Sequence, residues 1–242
     1  MILKLSKLKN KYENYKRSNF NESKIRLLER FRKNKINLKL KAGDKVLVFG
    51  TLNYFAGVEA LGKVKIEAID ICERPKFLPK NIKYKKIIKQ KFPYSDNYFK
   101  FVFVNGILSH LPNTKHYLNE IYRVLNTKGT SWISVYGSSN LETLRGQIAK
   151  KLNKFDLIKI RKLLIYHNWD AGKINFILDL LNKNDNYTFK KKQIEKLILE
   201  TGFKKFKFCQ RGYRADLNEQ IYKNKNLKKI FGNGDLRYLI YK

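Results

Sequence analysis

Asp70 stands 22 positions after Val48, at the end of the apolar run "VKIEAID" (64–70). That spacing sets a carboxylate beside the end of the preceding run, "KVLVF" (45–49). A carboxylate at such a strand tip can accept two hydrogen bonds from a ribose diol. Two more run ends, Phe49-Gly50 and Asn105-Gly106, carry glycines, which permit left-handed backbone and close approach to a ligand. His110 follows the run "FKFVFV" (99–104) closely. Histidine titrates near neutrality and can take a proton from a hydroxyl, so His110 is the first candidate base. "YHNWDAGK" (166–173) groups His167, Trp169 and Asp170 as a second candidate, whereas His116 reads as a surface residue. Cys72 and Cys209 are too few for a disulfide framework and too far apart for a zinc motif, so no metal site is expected.

These residues need a scaffold that brings strand ends together. From residue 45 short apolar runs alternate with helical stretches, the mark of βαβ units and a parallel sheet. The strands are "KVLVF", "VKIEAID", "YKKIIK" (84–89), "FKFVFV", "TSWISVY" (130–136), "KKFKF" (204–208) and "LRYLIY" (236–241). Between them "NYFAGVEAL" (53–61) can form a helix stopped by Gly62. Asn113 caps a helix whose apolar face is Leu118, Ile121, Tyr122 and Leu125. Thr188 caps another, buried through Ile194, Leu197 and Ile198 and ended by Gly202. Residues 1–42 read as a basic helical arm with Asn21 at a helix start and an apolar stripe of Leu27, Leu28, Phe31 and Ile36. Residues 43–242 read as one domain with a helical insertion at about 137–187.

The chain has 242 residues, 43% of them hydrophobic, enough for a substantial core. It carries no run of eighteen apolar residues and no signal-peptide pattern, so a cytoplasmic setting is expected. Its formal charge is +33. Such an excess attracts phosphates and anionic surfaces. The lysines are spread along the whole chain, however, and the background is rich in Asn, Ile, Tyr and Phe. That composition charges a surface without requiring a partner. Nucleic acid is therefore admitted but not favoured, and peripheral association with an anionic surface stays open.

The stretch "FPYSDNYFKFVFVNGILSHLPNTKHYLNEIYRVLNTKGT" (92–130) carries a resemblance. Phe92-Pro93-Tyr94 is similar to a Leu-Pro-Phe turn, and Phe99-Lys100-Phe101-Val102 to a Phe-Asp-x-Val strand. Leu108-Ser109-His110-Leu111, Arg123-Val124-Leu125 and Asn126-Thr127-Lys128-Gly129 follow in the order of the same pattern. The chain resembles the class I S-adenosylmethionine-dependent methyltransferases that act on small molecules, lipids or glycans. The resemblance covers 43–136 and, more loosely, 186–208.

What it implies is an α/β fold with a Rossmann-like, seven-stranded methyltransferase sheet, mostly parallel with the last strand antiparallel. It implies S-adenosylmethionine as cofactor, held by Gly50, Thr51, Asn53, Asp70, Ile71, Asn105 and Gly106. It also implies methyl transfer to a small-molecule, sugar or lipid/glycan acceptor. The family's Asp/Glu-x-Gly-x-Gly-x-Gly loop is here Val48-Phe49-Gly50-Thr51-Leu52-Asn53-Tyr54, which keeps one glycine and loses the acid. Lys100 replaces the aspartate of the fourth strand, and no acid follows the third. Two alternatives therefore stand beside the enzyme: an inactive methyltransferase fold used for binding or scaffolding, and an RNA-directed protein.

Overall fold

The computed structural model describes residues 18–50, 58, 61–74, 78–88, 90–138, 157–168, 187–210, 224–226 and 234–242. In chain order the elements are α1 (Ser18–Lys33), β1 (Lys45–Phe49), β2 (Lys65–Asp70), β3 (Lys83–Lys86) and β4 (Phe99–Asn105). A single 3₁₀ turn (Ile107–His110) and α2 (Thr114–Val124) follow, then β5 (Leu125–Tyr136). After them come α3 (Leu157–Tyr166), α4 (Lys191–Glu200), β6 (Lys205–Cys209) and β7 (Asp235–Tyr241).

The seven strands form one sheet in the order β3-β2-β1-β4-β5-β7-β6. β1 to β5 pair in parallel, and β7 runs antiparallel to both of its neighbours. Strands buried on both faces need apolar side chains on both, which is why β1 and β4 read as apolar runs, broken inside only by the half-buried Lys100 of β4. Alternate residues serve opposite faces. Leu47, Phe49, Val102, Val104 and Ile133 join α2 and α4 in one core cluster. Val46, Val48, Phe101, Phe103 and Trp132 meet Leu27 and Phe31 of α1 in the other.

Several strand ends shift by one residue, and β3 stops at Lys86, three residues short of the predicted 84–89; three further boundaries differ from the sequence reading. α1 already includes Ser18, upstream of Asn21. Thr188 does not cap α4; Lys190 is its N-cap. Phe189 is held extended first, its amide on Tyr136 O and its carbonyl on Ser138 N, so the helix starts later. Leu125 is the first residue of β5 rather than the last turn of α2. β5 pairs with β4 at Leu125 and again from Thr130, so Asn126–Gly129 bulges out between two paired stretches. Gly129 is required in that bulge, since a Cβ there would lie 2.9 Å from Asn126 O. Asn113 is the N-cap of α2, its side chain accepting from His116 N. Of the predicted helix 53–61 only Val58, which is helical and buried, and Leu61 are described, and most of the insertion falls outside the described residues, α3 excepted. Among the described residues no helix is long and apolar enough to cross a membrane.

Candidate functional site

In an open α/β sheet the ligand crevice lies beyond the carboxyl ends of the parallel strands. The register builds a row of residues there. Asn105 of β4 pairs with Ser134 of β5, Ser134 with Arg237 of β7, and Arg237 with Cys209 of β6. Phe49 pairs with both Ile69 and Val104, so Gly50 and Asp70 continue the row on the other side. By alternation Asp70, Asn105, Ser134 and Arg237 face the side that carries α1.

Asp70 is buried, and its Oδ1 accepts from the amides of Ile71 at 2.7 Å and Cys72 at 3.4 Å. The side chain thereby caps the turn after β2 and is fixed at the strand tip. Ile71 is half-buried beside it. The neighbouring Cys72 thiol is pushed up to about 11 by burial, with the Asp70 carboxylate adding to the effect. A thiol so placed stays protonated at neutral pH and is no nucleophile.

The two glycines differ. Gly50 has φ 82°, and a Cβ there would come within 2.8 Å of Ile107 Cβ. Its missing side chain is room for the 3₁₀ turn. Gly106 has φ 79°, and a Cβ there would meet nothing within 4 Å. Beside Gly106, Asn105 Oδ1 is buried without a hydrogen-bond partner. A buried acceptor left unsatisfied costs on the order of 1–3 kcal/mol, so it is suited to a donor brought by a ligand. The open space at Gly106 is where such a ligand could approach.

His110 ends the 3₁₀ turn and is exposed. Its Nε2 lies 3.4 Å from Tyr136 Oη, and the two rings meet edge-on at 5.6 Å. Ser109, fully buried, accepts at Oγ from Tyr136 N at 2.8 Å and at its carbonyl from Tyr187 N at 2.9 Å. That residue ties the turn to β5 and to the chain returning from the insertion. His167 lies just past α3, its amide on Leu163 O and its ring edge-on to Tyr166. Among the described residues no hydrogen bond or ring contact joins it to the strand ends. Thr51, Asn53 and Asp170 fall outside the described residues.

The structure adds residues that the sequence reading passed over. Tyr136 partners His110. Arg237 is 2% exposed, with Nη2 3.7 Å from Asp235 Oδ2. The signal for it was a lone charge inside the apolar run "LRYLIY". Val48, standing where the family has an acid, is fully buried among Val46, Phe101 and Val58. Ile88, in the segment after β3, is 69% exposed. Among the described residues no three His, Cys, Asp or Glu side chains group to hold a metal.

The methyltransferase-domain family model matches residues 49–133, which span β2 to β5 and contain Gly50, Asp70, Asn105 and His110. Over those residues the chain is similar to a methyltransferase domain. Solved methyltransferases share its fold. One is a possible histamine N-methyltransferase from Thermotoga maritima, with TM-score 0.61, 16% identity and all of both chains covered. Another is phosphoethanolamine N-methyltransferase 2 of Haemonchus contortus, solved with phosphomonomethylethanolamine and S-adenosylhomocysteine. It gives TM-score 0.54 and 15% identity over 90% of this chain and 52% of its own. A [4+2]-cyclase also matches, with TM-score 0.53 and 12% identity over 90% of this chain and 80% of its own. No curated protein matches the chain by sequence. At these identities the likeness is one of fold, and the cyclase shows that the fold does not dictate one reaction.

Proposed function

We propose that the chain transfers a methyl group from S-adenosylmethionine to a small-molecule, sugar or lipid/glycan acceptor in the cytoplasm. The observation that carries this reading is the row at the strand ends. It sets a fixed carboxylate, Asp70, and an unsatisfied buried acceptor, Asn105 Oδ1, beside the open space at Gly106. Asp70 suits a ribose diol, and Asn105 suits an N–H or O–H donor such as the cofactor's ammonium. When bound, the cofactor supplies an activated sulfonium methyl, which passes to an acceptor heteroatom that loses a proton. Positioning supplies most of the acceleration in such a transfer, so the chain's main task is to orient the acceptor. His110 Nε2 can take up the acceptor's proton and share it with Tyr136 Oη.

A second reading, a fold kept for binding alone, is favoured by Val48 and Ile88. The Val48 side chain cannot pair with the cofactor's ammonium, and the exposed Ile88 belongs to a segment after β3 that supplies no acid for the purine amino group.

Thermal unfolding with and without S-adenosylmethionine separates the two, using wild type and Asp70→Asn. The variant keeps the capping oxygen and loses the second acceptor. Cofactor at about a hundredfold over Kd stabilises by roughly 2.7 kcal/mol, a rise of about 5–10 °C for this size. The expected result is a rise in wild type that shrinks in the variant. No rise at saturating cofactor would favour the second reading.

A further inference from the structure

The site described above leaves α3 unexplained. Its sequence, "LIKIRKLLIY", holds seven apolar residues, three basic ones and no acid. A helix with so many apolar residues is expected to bury most of them. Yet Ile158 is 69% exposed, Leu163 57%, Ile165 55% and Tyr166 80%. Of the nine large hydrophobic side chains exposed among the described residues, four lie on these ten positions. Single exposed hydrophobics need no explanation, but a cluster does.

The half-buried residues Ile160, Arg161 and Leu164 mark the inward side. At 100° per residue the outward arc runs from Ile165 and Ile158 through Lys162, Tyr166 and Lys159 to Leu163. Apolar and cationic side chains alternate around it.

We propose that α3 docks on a bilayer surface that bears anionic headgroups. Charge complementarity selects this occupant. Lysine is depleted from the cores of protein–protein interfaces, so a second protein copy would have to bury Lys162 at a cost. At a lipid interface the Lys162 stem lies along the apolar layer while its ammonium group reaches the phosphates. Tyr166 ends the helix with an amphipathic ring of the kind that settles at headgroup level. A nucleic acid would pair with the cations and leave Ile158, Leu163 and Ile165 in water. The chain's charge of +33 draws the molecule toward the same surface.

The helix belongs to a segment that leaves the sheet at Gly137 and Ser138 and returns at Tyr187 and Phe189. There Ser138 N bonds Phe189 O, and Tyr187 N bonds Ser109 O, one residue from His110. The docking helix is thus part of the chain that begins and ends at the rim of the candidate site. The proposal holds whatever the acceptor and whether or not methyl transfer occurs.

The test is co-sedimentation of the full chain with vesicles of phosphatidylcholine alone or mixed with phosphatidylglycerol. The variants are Ile158→Ser/Leu163→Ser/Ile165→Ser, Lys162→Glu, and Lys192→Glu on exposed α4 as control, each checked for an unchanged Tm. Each basic residue near an anionic surface contributes about fivefold in partitioning. Binding to the mixed vesicles only is expected, cut about tenfold or more by the triple variant. Lys162→Glu should cut it more than Lys192→Glu. Absence of binding, or binding that the triple variant leaves intact, overturns the proposal. So does wild-type self-association that the triple variant abolishes, which would make the face a contact between copies.

Discussion

At the residue scale, Gly50 and Gly106 share a left-handed backbone and differ in what a side chain would meet. Gly50→Ala incurs a backbone cost of about 1–2 kcal/mol plus a collision with Ile107. Gly106→Ala incurs only the first. Thermal denaturation should therefore show the larger loss at position 50. A second change, Ile107→Ala, should recover part of it as a non-additive coupling. Cofactor titration should order the pair the other way, because the new methyl at 106 enters the open space beside Asn105 Oδ1. Equal losses of stability would show that Ile107 yields and that Gly50 serves only its φ. Cys72, held near 11, gives a second check. Its alkylation in the folded protein should be slow at neutral pH and climb only as pH nears that value, by mass spectrometry of the labelled peptide.

At the element scale, α2 is clamped to the Phe92-Pro93-Tyr94 turn by one ion pair with several branches. Arg123 donates to Glu120, to Phe92 O at 3.0 Å, to Tyr94 O at 2.7 Å and to Asp96 at 2.7 Å. Glu120 Oε2 accepts from Phe92 N at 2.7 Å. The clamp fixes Phe92, whose ring meets that of Phe49, the residue before Gly50, edge-on at 4.9 Å. A planar guanidinium can serve these diverging acceptors, and an ammonium cannot. Arg123→Lys should thus cost about 2 kcal/mol, a Tm loss of about 4–8 °C. Burial works to raise the Glu120 pKa, but the bonds from Arg123 and the Phe92 amide outweigh it and hold it below its ordinary 4.5. A carboxyl depressed in the folded state stabilises above its unfolded pKa and loses that contribution as pH falls through the folded one. Acid unfolding should therefore begin below pH 4.5, and the dependence in that window should be shallower in Glu120→Gln. A variant with the wild-type profile would assign acid sensitivity elsewhere.

At the scale of the whole molecule, a charge of +33 makes the folded chain repel itself. Added salt screens that repulsion over a Debye length of about 8–10 Å near physiological strength. Tm should therefore rise from low to physiological salt, by differential scanning fluorimetry with a chloride salt. A fall would mean that ion pairs such as Lys115–Glu200 and Arg123–Asp96 outweigh the repulsion.

The fold is largely legible in the chain because its determinants are local. A strand buried on both faces must be apolar at most positions, so "KVLVF" and "FKFVFV", with one lysine each, declare themselves, and Asp70 at the end of its run marks a strand tip. Asn113 and Gly202 mark helix ends by chemistry that acts within a few residues. What depends on register is not local. The row Asp70–Gly50–Asn105–Ser134–Arg237 joins positions more than a hundred residues apart and exists only through strand pairing. Thr188 is outcompeted as a cap because Phe189 is bridged to Gly137, far away in sequence. Sequence alone thus determines which segments are strands and helices, since burial and capping act on neighbours. Tertiary structure alone decides which polar groups meet at the strand ends and that the apolar helix α3 stays exposed, since both follow from long-range pairing and packing.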